Sequence, residues 1–170
     1  MWSDVDAIFM NMSIAIEDLV DSEHELFFSA DAAGINSGVF IVHSSEWSQW
    51  WLSECWNQTW LVDGHHPFQI EQRAIQYLYN SEALTANALK YGRPRYPAWK
   101  EVRAKTKIVE PCALNTNTCY DEYERYPECH PWEYSDGFLL VHFAGKIHTW
   151  RSVQMLEAVR IAELRNQIAP

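Results

Sequence analysis

Residues 38–47 read Gly-Val-Phe-Ile-Val-His-Ser-Ser-Glu-Trp, a stretch that indicates a strand followed by a helix. The run at 39–42 is β-branched and aromatic, which is typical of a strand. Ser44 or Ser45 then stands where a helix N-cap is expected. Apolar residues recur beyond it at helical spacing and predict a helix with a core-facing stripe: Trp47, Trp50, Trp51 and Cys55.

The same alternation of strand and helix continues on both sides of this stretch. Residues 2–10 indicate the end of a strand entering a turn, and further strands are predicted at 26–29, 106–109 and 138–143. Helices are predicted from Ser13 as a cap to Val20, after Pro67 with Ala74, Ile75 and Leu78 buried, and near the C-terminus with Met155, Ala158, Val159 and Ala162 buried. Residues 92–99 and 115–136 are predicted to be loops. The fold class is therefore α/β.

The composition excludes several classes of function. At 170 residues, 48% apolar and 21% charged, the chain has the size and composition of one globular domain. Its net charge of −10 repels phosphate backbones and anionic lipid, so nucleic-acid and membrane-surface binding are not expected. No run of 18 apolar residues is present, so no segment is expected to span a bilayer.

The cysteines and two sequons bear on the cellular compartment. Cys112, Cys119 and Cys129 fall in one loop-like stretch, which predicts a disulfide among them in an oxidising compartment, whereas Cys55 is expected to remain a buried free thiol. N-glycosylation sequons, which also arise often by chance, begin at Asn11 and Asn57.

Carboxylates and a histidine form the first group of candidate site residues. Asp4-Val5-Asp6 places two carboxylates two residues apart, a pattern that can hold one hard divalent cation. His142 ends an apolar strand and is followed by Gly145 and Lys146, so it can complete a metal site while the lysine neutralises a diphosphate. A chance Asp-x-Asp and a histidine satisfied in the core are the structural alternatives.

Polar residues before the strand at 39–42 and in the helix predicted near Pro67 form the second group. Gly34-Ile35-Asn36-Ser37-Gly38 offers Asn36 and Ser37 as donors to a ligand, and an ordinary turn before the strand is the alternative. Glu71 and Gln72 lie near the start of a helix, where a carboxylate or an amide can meet a sugar. The preceding pair His65 and His66 is expected in a surface loop.

The order of these motifs along the chain resembles the signature series of GT-A glycosyltransferases. The series runs from Asp4-Val5-Asp6 through Asn36-Ser37-Gly38 and Glu71-Gln72 to His142-Phe143-Ala144-Gly145, with similar stretches at 45–48 and 113–115. The closest resemblance is to glycosyltransferase family 34, and it covers residues 2–148. A glycogenin-like family shares several of these motifs.

The resemblance implies a mixed-sheet GT-A fold and transfer of a hexose or a pentose from a nucleotide-sugar donor to a glycan acceptor. Mn²⁺ would be held by Asp4, Asp6 and His142. The donor would be bound by Asp4, Asn36, Ser37, Gly145 and Lys146. Glu71 and Gln72 would be the catalytic residues of a reaction that retains anomeric configuration, with either Glu71 as nucleophile or a front-face attack. Both mechanisms remain open.

The resemblance also carries an expectation about the extent of the chain. In such enzymes a nucleotide-binding half precedes the Asp-x-Asp motif, whereas Asp4 is nearly the first residue here. Residues 1–170 are therefore expected to be the C-terminal portion of a single GT-A catalytic domain of a Golgi-lumenal type II membrane protein, with the anchor outside this chain. Alone, this portion is expected not to transfer sugar. The alternatives are a non-catalytic, glycan-binding remnant and a metal-dependent hydrolase that activates water.

Overall fold

A computed structural model describes residues 1–31, 34–61, 70–80, 88–90, 92–117, 134–144 and 148–168. Its strands are, in chain order, β1 (Trp2–Ser3), β2 (Ala7–Phe9), β3 (Leu26–Asp31), β4 (Gly34–Val42), β5 (Thr106–Val109), β6 (Thr116–Asn117) and β7 (Leu140–His142). Its α-helices are α1 (Glu46–Asn57), α2 (Ile70–Leu78), α3 (Trp99–Ala104), α4 (Pro111–Leu114) and α5 (His148–Ile168). Single 3₁₀ turns lie at Ile16–Leu19 and Thr59–Leu61.

The described elements fall into two compact units. The first comprises Met1–Val20, Gly38–Phe40 and Val109–Pro170, and the second comprises Asp21–Ser37 and Ile41–Ile108. β4 is shared, because its centre belongs to the first unit and its two ends to the second. The alternation of strands and helices confirms the predicted α/β class.

A mixed three-stranded sheet of order β2-β7-β6 forms the centre of the first unit. β2 runs antiparallel to β7 with Ala7 opposite His142, and β6 runs parallel to β7 with Thr116 opposite Val141. In the same unit β1 pairs antiparallel with the centre of β4, Trp2 opposite Phe40. The sheet packs against α5 in one apolar core: Met10, Val141, Phe143, Ala158 and Ala162, with Ile8, Tyr134, Met155 and Ile161 at its margin.

The buried face of α5 differs from the prediction at one position. Ala158 and Ala162 are buried and Met155 packs beside them as expected, but Val159 is 40% exposed. One residue along an α-helix turns a side chain by about 100°, so Val159 points away from the face that Ala158 buries. Ile161 contributes to the core in its place.

The second unit contains β4, β3 and β5 as neighbouring strands, with α1, α2 and α3. Ser45 caps α1, because its side chain accepts from the Ser48 backbone N–H while the Ser48 hydroxyl meets the Ser45 N–H. Trp51 packs on Phe28 with ring centroids 6.0 Å apart. The predicted strands at 26–29 and 106–109 and the buried face of α2 (Ala74, Ile75 and Leu78) are confirmed.

Several local expectations are wrong, each for a physical reason. Residues 34–38 are not a turn, because they form the first half of β4. Ser13 caps no α-helix: its N–H and hydroxyl both donate to Asn11 Oδ1, a local bond that competes with helix formation, and only a 3₁₀ turn follows. The tryptophan stripe of α1 is only partly core, since Trp51 is buried and Trp50 is 36% exposed.

The described residues bear on the predictions about membrane spans and disulfides. None of their helices is long and apolar enough to cross a bilayer. Cys55 and Cys112 carry free thiols, and both are half-buried, so Cys55 is free as predicted but less buried than predicted. Cys112 is therefore not part of the predicted disulfide, which leaves Cys119 and Cys129 as its candidates. Both lie outside the described residues, as do His65, His66 and Pro67.

Candidate functional site

Strand pairing brings Asp6 and His142 together. Asp6 immediately precedes β2 and His142 ends β7, and the antiparallel register places Ala7 opposite His142. The backbone continues the ladder, because Phe143 N donates to Asp6 O at 2.9 Å. A carboxylate and an imidazole far apart in the sequence therefore meet at one end of the sheet.

A tight turn adds the second carboxylate. Asp4 N donates to Gly38 O at 2.7 Å, and Ala7 N donates back to Asp4 O at 3.2 Å. The turn leaves Val5 96% exposed and directs the two flanking aspartates towards His142. The spacing of one residue between Asp4 and Asp6 is thus the spacing that the turn requires.

The three side chains converge on a volume suited to one cation. Nε2 of His142 lies 3.3 Å from Asp6 Oδ1 and 4.0 Å from Asp4 Oδ2. One ligand atom from each residue lies within 4.8 Å of the others. The Asp4 side chain is 41% exposed whereas that of His142 is 4% exposed, so the group is open to solvent on the Asp4 side. Two carboxylates and an imidazole fit a divalent cation of the Mn²⁺ type.

Asn115 fixes the tautomer of His142. Nδ1 of His142 lies 3.1 Å from Asn115 Oδ1, and both residues are buried. A carbonyl oxygen only accepts, so this bond places a hydrogen on Nδ1. Nε2 then presents a lone pair to two carboxylates, an arrangement that a proton or a metal ion at Nε2 stabilises. The parallel pairing of β6 with β7 positions Asn115, which immediately precedes β6.

Gly38 makes room for the imidazole. A Cβ on Gly38 would lie 2.0 Å from Cε1 of His142 and 2.7 Å from Nε2. Only a residue without a side chain fits between β4 and this ring, so the glycine of the Asn-Ser-Gly motif belongs to the histidine site.

Arg151 holds the other oxygen of Asp6. Its Nη1 donates to Asp6 Oδ2 at 2.9 Å from the first turn of α5. Both side chains are largely buried, with 24% and 14% exposed. The sequence offered no pattern that marked Arg151, because it reaches Asp6 only through the packing of α5 on the first unit.

A second polar cluster lies on β4 and α2 in the second unit. Ser37 N donates to Gln72 Oε1 at 3.1 Å, and Gln76 Nε2 donates to Ile35 O at 2.9 Å. Two buried amides one helical turn apart on α2 thus meet backbone groups two residues apart on β4. Gln76, which no sequence motif marked, therefore acts with Gln72 to hold β4 against α2.

The remaining predicted residues of this cluster differ in accessibility. Glu71 is exposed, and its Oε1 accepts from the Ser37 hydroxyl at 3.0 Å. Asn36 is buried, and its Nδ2 donates to Asp31 Oδ2 at 2.7 Å. The structure therefore joins Ser37 with both Glu71 and Gln72, as one cluster. Gly145 and Lys146 lie outside the described residues.

Comparison with known proteins decides the family. The sequence matches the galactosyl transferase GMA12/MNN10 family over residues 20–148, which is more than half of the chain. The chain belongs to this family, glycosyltransferase family 34. The recognition made from the motif series is confirmed. The matched range contains His142 and the cluster at β4 and α2, and it begins beyond Asp4 and Asp6.

A curated relative and a solved structure are similar to this chain. A Schizosaccharomyces pombe protein described as an uncharacterized alpha-1,2-galactosyltransferase is 29% identical over 115 residues, which cover 68% of this chain. The chain spans 24% of that relative's length. Among solved structures, it is similar to a glycosyltransferase involved in the glycosylation of the major capsid of PBCV-1, with 19% identity and a TM-score of 0.49. The similarity covers 92% of this chain and 65% of that one.

Proposed function

We propose that this chain provides the metal site and the sugar-facing residues of a retaining GT-A glycosyltransferase that moves a hexose from a nucleotide-sugar donor to a glycan acceptor. Family membership supports transfer of a sugar, and the galactosyltransferase description of both the family and the S. pombe relative supports galactose. The convergence of Asp4, Asp6 and His142 carries the proposal that transfer depends on a metal.

In this proposal Asp4, Asp6 and His142 hold Mn²⁺. Bound there, the ion neutralises the charge that develops on a leaving nucleoside diphosphate. Asp4, the most exposed of the three, borders the side on which donor oxygens enter. Asn115 and Gly38 keep the imidazole in one tautomer and one orientation. Loss of such a supporting residue typically lowers metal affinity by roughly 10–100-fold.

The β4 and α2 cluster is proposed to face the donor sugar. Glu71 is its exposed carboxylate, so Glu71 is the candidate to contact the anomeric centre. The oxygen of Gln72 is bonded to Ser37, which suits Gln72 to positioning the cluster. Asn36 and Ser37, with Gly145 and Lys146, complete the proposed set of donor-binding residues.

We place the complete protein in the Golgi lumen, held by an anchor outside this chain. Family 34 membership is consistent with an enzyme of the secretory pathway, where nucleotide sugars and growing glycans meet. The acceptor is therefore a glycan on a lumenal substrate.

A transfer assay on the complete protein tests this function. Purified enzyme is incubated with UDP- and GDP-sugars and an oligosaccharide acceptor, with Mn²⁺ or with a chelator, and the product is analysed by mass spectrometry. We expect acceptor-dependent addition of one hexose that the chelator abolishes. Asp6→Asn should abolish it as well, whereas His43→Ala, which removes a histidine whose side chain is 62% exposed, should not. Release of free sugar at the same rate without acceptor would contradict the proposal and indicate a hydrolase.

A further inference from the structure

Two N-glycosylation sequons differ in what the fold does with their asparagines. Asn11 Nδ2 donates to Gly137 O at 2.9 Å, and Asn11 Oδ1 accepts from both N and Oγ of Ser13 at 3.0 and 2.5 Å. The amide and the hydroxyl of this sequon are thus bonded to each other and to a distant loop. Glycosylation replaces one of the two Nδ2 hydrogens by a sugar ring, so a glycan at Asn11 would have to fit beside Gly137 while the remaining hydrogen donates to Gly137 O.

The second sequon is open. Asn57 is the last residue of α1 and Thr59 begins the following 3₁₀ turn, and both residues are exposed. The chain changes direction at Gln58, whose backbone leaves helical geometry. A bulky substituent on Asn57 therefore projects from the end of a helix, at a position that the described part of the second unit leaves exposed.

The surface beside Asn57 has an unusual apolar content. Trp56 is 84% exposed, and Leu52, one helical turn earlier on the same face of α1, is 47% exposed. Together the two side chains form a small apolar surface that is open to solvent. The C–H face of a sugar ring stacks on an indole, so a glycan attached at Asn57 can cover Trp56.

We propose that Asn57 is an N-glycan acceptor of this protein and that Asn11 is not. In the reaction Asn57 Nδ2 forms a bond to the anomeric carbon of an oligosaccharide carried on a lipid diphosphate. The bond from that carbon to the phosphate oxygen breaks, the lipid diphosphate leaves with the electron pair, and Nδ2 loses one proton. The inference rests on the lumenal location proposed above.

Glycan mapping of the complete protein tests the proposal. The protein is expressed in a eukaryotic host with its proposed anchor replaced by a cleavable secretory leader, so that it is secreted through the lumen whatever its native address. A glycosidase that converts each glycan-bearing asparagine to aspartate then marks the occupied site for peptide mass spectrometry. The variants are Asn57→Gln, Thr59→Ala, Thr59→Ser and Asn11→Gln.

We expect the mark at Asn57 in the wild-type protein, its loss in Asn57→Gln and Thr59→Ala, and its retention in Thr59→Ser, which keeps the hydroxyl. Asn11→Gln should leave the glycan mass unchanged. An unmodified Asn57 in the secreted protein, or a glycan at Asn11 instead, would overturn the inference. Neither result would bear on sugar transfer or metal dependence, so the proposed function is tested separately.

Discussion

Gly38 and His142 lie so close together that no side chain fits on Gly38. A Cβ there would lie 2.0 Å from Cε1 and 2.8 Å from Nδ1 of the imidazole, well inside the closest approach of two such atoms. Because His142 also meets Asn115 on one side and Asp6 on the other, the ring has no room to yield. The glycine of the Asn-Ser-Gly motif is therefore a steric requirement of the candidate metal site.

Gly38→Ala should weaken metal binding strongly. The new methyl group displaces His142, so we expect a loss of Mn²⁺ affinity of tenfold or more, comparable to removal of a supporting residue. We also expect the free energy of unfolding to fall by about 1–3 kcal/mol, as in overpacked cores. Calorimetric titration with Mn²⁺ and denaturant unfolding measure the two effects.

Gly137→Ala is the matched control. Gly137 has a φ of +99° and no atom within 4 Å of an added Cβ, so the change introduces backbone strain without touching His142. It should reduce stability by about 1 kcal/mol and leave Mn²⁺ affinity unchanged. Equal Mn²⁺ affinity in Gly38→Ala and Gly137→Ala would show that the imidazole does not depend on the space at Gly38.

Some residues of the site belong to recognisable sequence motifs, and others are brought to it only by the fold. Asp4, Asp6 and His142 were predictable because carboxylate and imidazole motifs are visible in order along the chain. Asn115 lay in a stretch that resembled the family but had no role until the parallel β6–β7 pairing placed it beside His142. Arg151 left no signal, since a lone arginine on a helix becomes informative only when the packing of that helix is known.

The fold follows the same rule. β5 and the capped start of α1 were predicted because short apolar runs and capping serines act locally. β6 was missed because it is only two residues long and is stabilised by its non-local pairing with β7. The first half of β4 has a glycine at each end, a pattern that is also typical of a turn. It is a strand here because α2, which is distant in the sequence, hydrogen-bonds to its backbone.

Arg151→Ala should make stability more dependent on metal. The Arg151 guanidinium neutralises the charge of Asp6. Without metal, its removal should therefore lower the free energy of unfolding by about 1.5–3 kcal/mol, the usual value for a hydrogen bond between charged groups. Mn²⁺ bound at the proposed site would neutralise the charge of the same carboxylate. Added Mn²⁺ should therefore raise the melting temperature of Arg151→Ala more than that of the wild-type protein, with no loss of Mn²⁺ affinity.

Arg165→Ala controls for the loss of an arginine from the same helix. Arg165 donates to Tyr134 and Asp136 at 2.7 and 2.5 Å, away from the carboxylates of the site. Its removal should lower stability without changing the Mn²⁺-induced shift. A shift in Arg151→Ala no larger than that in Arg165→Ala would contradict the assigned role of Arg151.

Glu71→Gln should impair transfer while leaving the fold intact. A glutamine oxygen can still accept from the Ser37 hydroxyl, so the β4 and α2 contact is preserved, whereas the carboxylate charge is lost. We expect kcat to fall about 100-fold or more with little change in donor affinity. Glu46→Gln, an exposed glutamate in the first turn of α1, is the matched control and should be neutral. Unchanged kcat in Glu71→Gln would remove Glu71 from the proposed catalytic residues.

Cys55 should be inert to alkylation in the native state. Burial, together with the negative charge of Glu54, raises the pKa of Cys55 to about 12. Only the thiolate reacts, so at pH 8 native Cys55 should react about a thousandfold more slowly than the same residue in guanidinium, and its rate should rise with pH until about pH 12. Peptide mass spectrometry after timed iodoacetamide treatment measures both rates. Comparable rates in the folded and unfolded protein would contradict this burial.

Mn²⁺ titration of the complete protein tests whether Asp4, Asp6 and His142 form the metal site. Calorimetry on the wild-type protein, Asp6→Ala, His142→Ala and the control His43→Ala compares the proposed ligands with an exposed histidine of the second unit. We expect one site in the wild-type protein and in His43→Ala, and its loss in Asp6→Ala and in His142→Ala. Unchanged Mn²⁺ affinity in both ligand variants would contradict the assignment of this cluster as the metal site.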